Sequence, residues 1–115
     1  MMWKNILYLY SILFMSILSC GKDKGFEQDR LVKKGAIVFQ THCSSCHGEW
    51  KKGDGPLSTT LNEQPANLNH FEGTSSDRII RIVVNGVPDS TMKGYKDILT
   101  KDEISAVVAY LIKTN

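Results

Sequence analysis

The chain has 115 residues, 42% of them hydrophobic and 23% charged, with a formal net charge of +2. That length allows at most one domain, and the composition is globular rather than disordered. The charge is too small, and the basic residues too scattered, for a nucleic-acid partner. No repeat, Gly/Ser linker or low-complexity tract interrupts the chain.

The first twenty residues stand apart from the rest. Lys4 gives a short positive start, and the apolar run ILYLYSILFMSIL fills positions 6–18. Such a run has the length of a signal-peptide core and falls short of the roughly 20 residues of a membrane-spanning helix. It ends in Ile17-Leu18-Ser19-Cys20-Gly21, which resembles a bacterial lipobox. The resemblance implies a signal peptide over 1–19 and a lipidated N-terminus at Cys20. An ordinary cleaved signal or a short uncleaved anchor is the alternative. Several acyl chains on one residue anchor firmly, whereas one chain binds only marginally. The expected location is the periplasm or the extracytoplasmic face of a bacterial membrane. Loss of Lys4 with the leader leaves a net charge of about +1. Residues 21–28 (GKDKGFEQ) read as a short polar tether, which places the domain at 29–115. A core this small is marginal alone, and something else must complete it.

Residues 29–46 read as a helix with Leu31, Gly35, Ala36, Val38 and Phe39 toward the core. At its end stands THCSSCHGEW, positions 41–50. If Cys20 carries lipid, Cys43 and Cys46 remain. A thioredoxin-like dithiol requires a βαβ context, and no strand pattern surrounds residue 43. A zinc site takes four ligands; Cys43, Cys46 and His47 supply three at most, and only His42 or His70 could add another. The remaining reading uses every residue, because Cys-x-x-Cys-His is the attachment sequence of c-type haem. On one helical turn two thiols at i and i+3 face the same way. They can reach the two vinyl groups of a flat ring, and His47 rises to the iron from the same side.

Between 48 and 74 there is little regular signal. A loop that long counts against a compact domain unless it packs on a cofactor. SSDRIIRIVV (75–84) reads as a helix capped by Ser75 or Ser76; Ile80, Val83 and Leu61 are candidates for core or haem wall. Haem iron in an electron carrier is commonly held by His and Met. Of the four methionines, only Met92 lies outside the leader, in the Gly/Pro-bearing loop GVPDSTMKGY. It is the expected sixth ligand; His70 is its rival, while His42 stands too near the proximal side. Thr100 and Glu103 form a capping box. After it, Ile104, Val107, Val108 and Leu111 mark one face of a last helix.

Over residues 29–113 these features resemble a class I cytochrome c of the small bacterial kind. The resemblance implies an all-α fold, three main helices and long loops wrapped around one covalently bound haem c. Gly35, Phe39 and Cys43, spaced four apart, match the family's first helix, which crosses the last helix closely; Val107 and Tyr110 are the counterparts there. In GDGPL (53–57), Pro56 is implied to offer its carbonyl to the far nitrogen of His47. That bond would fix the imidazole tautomer and strengthen it as a donor. PANL (65–68) resembles the loop over one haem edge. VNGVP, Met92 and Tyr95 follow the family's order, which implies Tyr95 against the cofactor; His42 and Trp50 are expected to line the haem edge rather than bind its iron. One departure is Lys93, where many members have Pro directly after the ligand Met.

With both axial positions filled, no site stays open for substrate, and no nucleophile stands beside a base. The expected role is therefore one-electron transfer between redox partner proteins, at a positive potential, rather than catalysis. Lys51, Lys52, Lys93 and Lys96 are candidates for a basic rim steering an acidic partner, or simply solubilising charges. Two alternatives remain: a haem subunit dedicated to one oxidoreductase complex, and a gas-binding sensor in which Met92 is displaced.

Overall fold

The structure, a computed structural model, describes residues 23–115 apart from position 72. The expected signal peptide and Cys20 lie outside the described residues. Helix α1 spans Lys24–His42, α2 Ser44–His47, α3 Ser76–Asn85 and α4 Lys101–Lys113, with a 3-10 turn at Ser58–Thr60. Among the described residues there is no strand, and one isolated antiparallel bridge joins Gly86 to Lys93. The all-α expectation holds.

The first helix begins at Lys24, inside the segment that reads as a tether. Residues 23–30 are all exposed, so burial does not drive this extra turn. Local chemistry supports it: Glu27 lies in the first turn, where a negative charge suits the helix dipole. Arg30 Nη1 approaches Glu27 Oε2 at 3.4 Å, an i,i+3 pair. At the other end the predicted single helix is broken. Cys43 adopts φ −120° and ψ −33°. Its N–H still donates to the Phe39 carbonyl at 2.8 Å, but His47 N–H then bonds back to Cys43 itself at 2.9 Å. The attachment motif thus occupies its own turn, α2.

Gly35 decides how α1 meets α4. A Cβ at this position would collide with the Ala106 carbonyl and stand 2.7 Å from Tyr110 Cβ. Only a residue without a side chain lets the two backbones approach so closely. Beside the crossing, Phe39 is fully buried, and its ring centroid lies 5.6 Å from that of Tyr110 at a tilt of 46°. Val38, Ile79, Val83, Leu99, Ile104, Val107, Val108 and Leu111 complete the buried core. Leu31 and Ala36 are half-buried.

Helix starts follow their caps. Ser75 accepts from Arg78 N–H at 3.4 Å. Thr100 accepts from Glu103 N–H at 3.3 Å, while Glu103 Oε2 accepts from Thr100 N–H at 2.8 Å. The expected capping box is therefore complete. The Thr100 amide, which bonds the carboxylate, holds the Glu103 pKa below its ordinary value.

Two outcomes follow from this frame. Gly35→Ala should lower unfolding stability by about 1–3 kcal/mol, seen as a lower denaturant midpoint at unchanged slope. The Glu103 contribution has a defined pH window, because a carboxylate with a lowered folded pKa stabilises only while ionised. It is complete above the ordinary value of 4.5 and fades as pH falls through the lowered one. Stability measured across that range should fall less steeply in Glu103→Gln than in the parent.

Candidate haem site

Cys43 and Cys46 are both free thiols and both half-buried. Burial, with the neighbouring Cys46, pushes the Cys43 thiol up to about 11, so the free thiol is protonated at neutral pH. His47 follows on the same turn. Its Nδ1 lies 3.0 Å from the carbonyl oxygen of Ala66. With Nδ1–H donating to that carbonyl, Nε2 is the free lone pair of the ring.

Here the structure corrects the partner implied for His47. The expected carbonyl was that of Pro56, but Pro56 is exposed and the bond goes to Ala66, in PANL. The reason is the path of the loop. GDGP is pinned back onto the attachment turn: Gly53 N–H donates to His47 O at 2.7 Å, Gly55 N–H to Cys46 O at 3.1 Å, and Leu57 N–H to Ser45 O at 2.8 Å. The chain then makes its 3-10 turn and returns through residues 65–69. Leu68 N–H is held by Lys51 O at 2.7 Å, and Asn69 Nδ2 donates to Trp50 O at 2.8 Å. These ties bring Ala66 to the imidazole. The sequence holds two Pro-bearing stretches in this loop, and only its fold selects between them.

The Met92 loop leaves α3 at Gly86, whose φ of 75° a side chain rarely adopts. A Cβ there would also stand 2.7 Å from Gly94 N and 2.8 Å from the Lys93 carbonyl carbon. Pro88 and Asp89 (φ 57°) form the turn, closed by Ser90 N–H to Val87 O at 3.3 Å. Val87 N–H donates to Met92 O at 3.0 Å and Tyr95 N–H to Val83 O at 2.9 Å. Met92 N–H is taken by Ser90 Oγ at 3.0 Å. Lys93, the departure from the family pattern, sends its Nζ to Ser90 O at 3.2 Å and so closes the same loop. From the loop between α2 and α3, Glu63 Oε1 accepts from Thr91 N–H at 2.7 Å and from Thr91 Oγ1 at 3.1 Å.

Tyr95 donates its hydroxyl to the His42 carbonyl at 2.9 Å, just ahead of Cys43. The His42 ring packs edge-on against Tyr95, centroids 6.1 Å apart. Tyr95 thereby ties the end of the Met92 loop to the end of α1, and burial raises its pKa. His70 is exposed. Trp50 is 70% exposed. Val83 belongs to the buried core, and Ile80 packs against it with Cys43, Leu68, Phe71, Val84 and Tyr95; Leu61 is half-buried outside that cluster.

Lys51 leaves the expected basic rim. It is only 6% exposed, with its Nζ bonded to Thr114 O at 2.6 Å and Thr114 Oγ1 at 2.7 Å. Burial lowers its pKa. Lys52, Lys93 and Lys96 remain exposed.

The donor set fits a covalently held haem. Among the described residues no three His, Cys, Asp or Glu side chains come together to hold a bare metal ion. A haem requires none of that: it takes two thiols on one turn, one oriented imidazole and an apolar wall. Cys43 and Cys46, His47, and the half-buried cluster from Leu68 to Tyr95 provide them.

Known proteins agree. A family model described as "Cytochrome C oxidase, cbb3-type, subunit III" matches residues 30–111. A cytochrome c6-like protein of Nostoc sp. is 33% identical over 69% of this chain and 67% of its own length. A cytochrome c6 of Bryopsis maxima is 35% identical over 69% of this chain and 86% of its own length. Among solved structures, a chain of the reducing HAO-like protein complex of Kuenenia stuttgartiensis superposes with a TM-score of 0.64 at 32% identity. The match covers 71% of this chain and 41% of that one. The chain belongs to the cytochrome c family that this cbb3-type subunit III model describes: it is a small class I c-type cytochrome, a haem electron carrier with one covalently bound haem c.

Proposed function

We propose that this cytochrome carries single electrons between redox partner proteins outside the cytoplasm, tethered to a membrane through Cys20, with His47 and Met92 as its iron ligands. The observation that carries the ligand reading is the His47–Ala66 bond, which fixes the ring and leaves Nε2 for iron. Met92 is the one methionine outside residues 1–15, and its loop is held from both sides by Tyr95 and Glu63.

The bound haem supplies the one-electron ferric/ferrous couple. What the chain adds is position and environment. Cys43 and Cys46 would hold the group covalently and so retain it in either oxidation state. The Ala66 carbonyl orients His47 and raises its donor strength. Leu68, Phe71, Ile80, Val84 and Tyr95, packed in one half-buried cluster with Cys43, would give the group an apolar wall, and a neutral thioether from Met92 would favour the less charged ferrous state and a positive potential.

Ferric protein should show the weak near-red absorption band of Met-to-iron ligation, and Met92→Ala should abolish it. A parent spectrum without the band sinks the Met92 assignment. Carbon monoxide should leave the parent ferrous spectrum unchanged; a shift would favour the gas-binding reading instead. Cells grown with labelled palmitate should incorporate the label into the parent protein and not into Cys20→Ser. A parent that takes up no label overturns the lipid anchor.

A second reading has its own support: the matching family description names an oxidase subunit. On that reading the cytochrome serves one oxidoreductase complex rather than shuttling freely. Co-purification with a catalytic chain at fixed ratio would establish it, and a free monomer in solubilised membranes would exclude it.

A further inference from the structure

We propose that Lys51 is a positioning residue for the haem-ligating imidazole, coupling the C-terminal end of α4 to the orientation and donor strength of His47. The proposal rests on His47 being the iron ligand. Lys51 adopts φ 62°, a conformation uncommon for a residue with a side chain. Such geometry persists only where the surroundings impose it. Two surroundings do so. At one end the ammonium is clamped at the end of α4, on Thr114 O and Thr114 Oγ1 at 2.6 and 2.7 Å, where helix carbonyls lack intrahelical donors and the dipole favours a cation. It also stands 5.3 Å from the centroid of the Tyr110 ring, the ring that packs on Phe39.

At the other end is the Lys51 backbone. Its carbonyl accepts from Leu68 N–H at 2.7 Å, and the adjacent Trp50 carbonyl accepts from Asn69 Nδ2 at 2.8 Å. These bonds moor residues 68–69, and two residues earlier Ala66 presents its carbonyl to His47 Nδ1 at 3.0 Å. The path from Thr114 to the imidazole thus runs through a single buried side chain. Loosen the ammonium, and the 50–51 turn, the 66–69 segment and the imidazole partner loosen in sequence.

The sign of the effect separates this role from simple electrostatics. Removing a cation near the haem stabilises the ferric state and lowers the potential. Weakening the bond to Nδ1–H makes the imidazole a poorer donor to ferric iron and raises it. Lys51→Met, of similar length and without donors, should therefore raise the midpoint potential of the haem-loaded protein. It should also speed hydrogen exchange at His47 Nδ1–H, because the carbonyl that protects this proton is less firmly held. Thr114→Val, which removes one of the two acceptors and changes no charge, should move both readouts the same way by less. Lys113→Ala, which breaks the exposed pair with Asp29 at the same helix end, should move neither.

A lowered or unchanged potential in Lys51→Met overturns the proposal, as does a Lys113→Ala variant that shifts as far. If Lys51→Met does not retain its fold, Thr114→Val decides alone, and an unchanged potential with unchanged exchange there overturns it. The ligand assignment is checked separately in the parent: His47 ring protons that lack the large ring-current shift of an axial imidazole would overturn that assignment itself.

Discussion

The close approach of α1 and α4 at Gly35 governs the rest of the molecule. Because Gly35 has no Cβ, the α4 backbone at Ala106 rests directly on α1, and Phe39 and Tyr110 fill the space beside the contact. One turn beyond Phe39 lies Cys43, whose amide still bonds the Phe39 carbonyl. The crossing therefore fixes where the attachment turn begins. Tyr110 at the same crossing accepts the Thr114 hydroxyl one turn on, and Thr114 receives the Lys51 ammonium. A small core alone would be marginal; here a rigid two-helix crossing gives both edges of the haem site a common reference.

The segment between α2 and α3 shows how a long irregular loop is tolerated in so small a domain. It contributes only Leu68 and Phe71 to the hydrophobic cluster. Instead it is held by polar ties: to the attachment turn through Gly53, Gly55 and Leu57, to the 50–51 turn through Leu68 and Asn69, and to itself through Gln64 and the Gly53 carbonyl. It reaches both the attachment turn and the Met92 loop, since Ala66 bonds His47 and Glu63 bonds Thr91. No buried polar side-chain atom among the described residues lacks a partner, as a loop rich in backbone contacts requires. Of the two proposed ligands, His47 thus ends a short helix and Met92 lies on a loop, and this one segment bonds beside both.

What the sequence determined by itself is chemistry that needs only near neighbours. Cys43, Cys46 and His47 share a turn, so their spacing alone implies haem attachment; Thr100 and Glu103 cap a helix three residues apart; Ile104, Val107, Val108 and Leu111 repeat at helical intervals. Gly35 and Tyr110 were legible through the family resemblance. The tertiary structure decided whatever depends on where a loop returns. It chose Ala66 over Pro56, because the GDGP turn is spent on the backbone of the attachment helix. It buried Lys51, which in the sequence is one of two adjacent lysines with nothing to tell them apart, because Thr114 lies 63 residues away in the chain and beside it in space. It also carried α1 back to Lys24 through local pairing that hydrophobic periodicity does not register. Contacts between residues a few positions apart are fixed by backbone geometry and can be read from spacing. Contacts closed over tens of residues depend on the path of every segment between them, and only the folded chain sets that path.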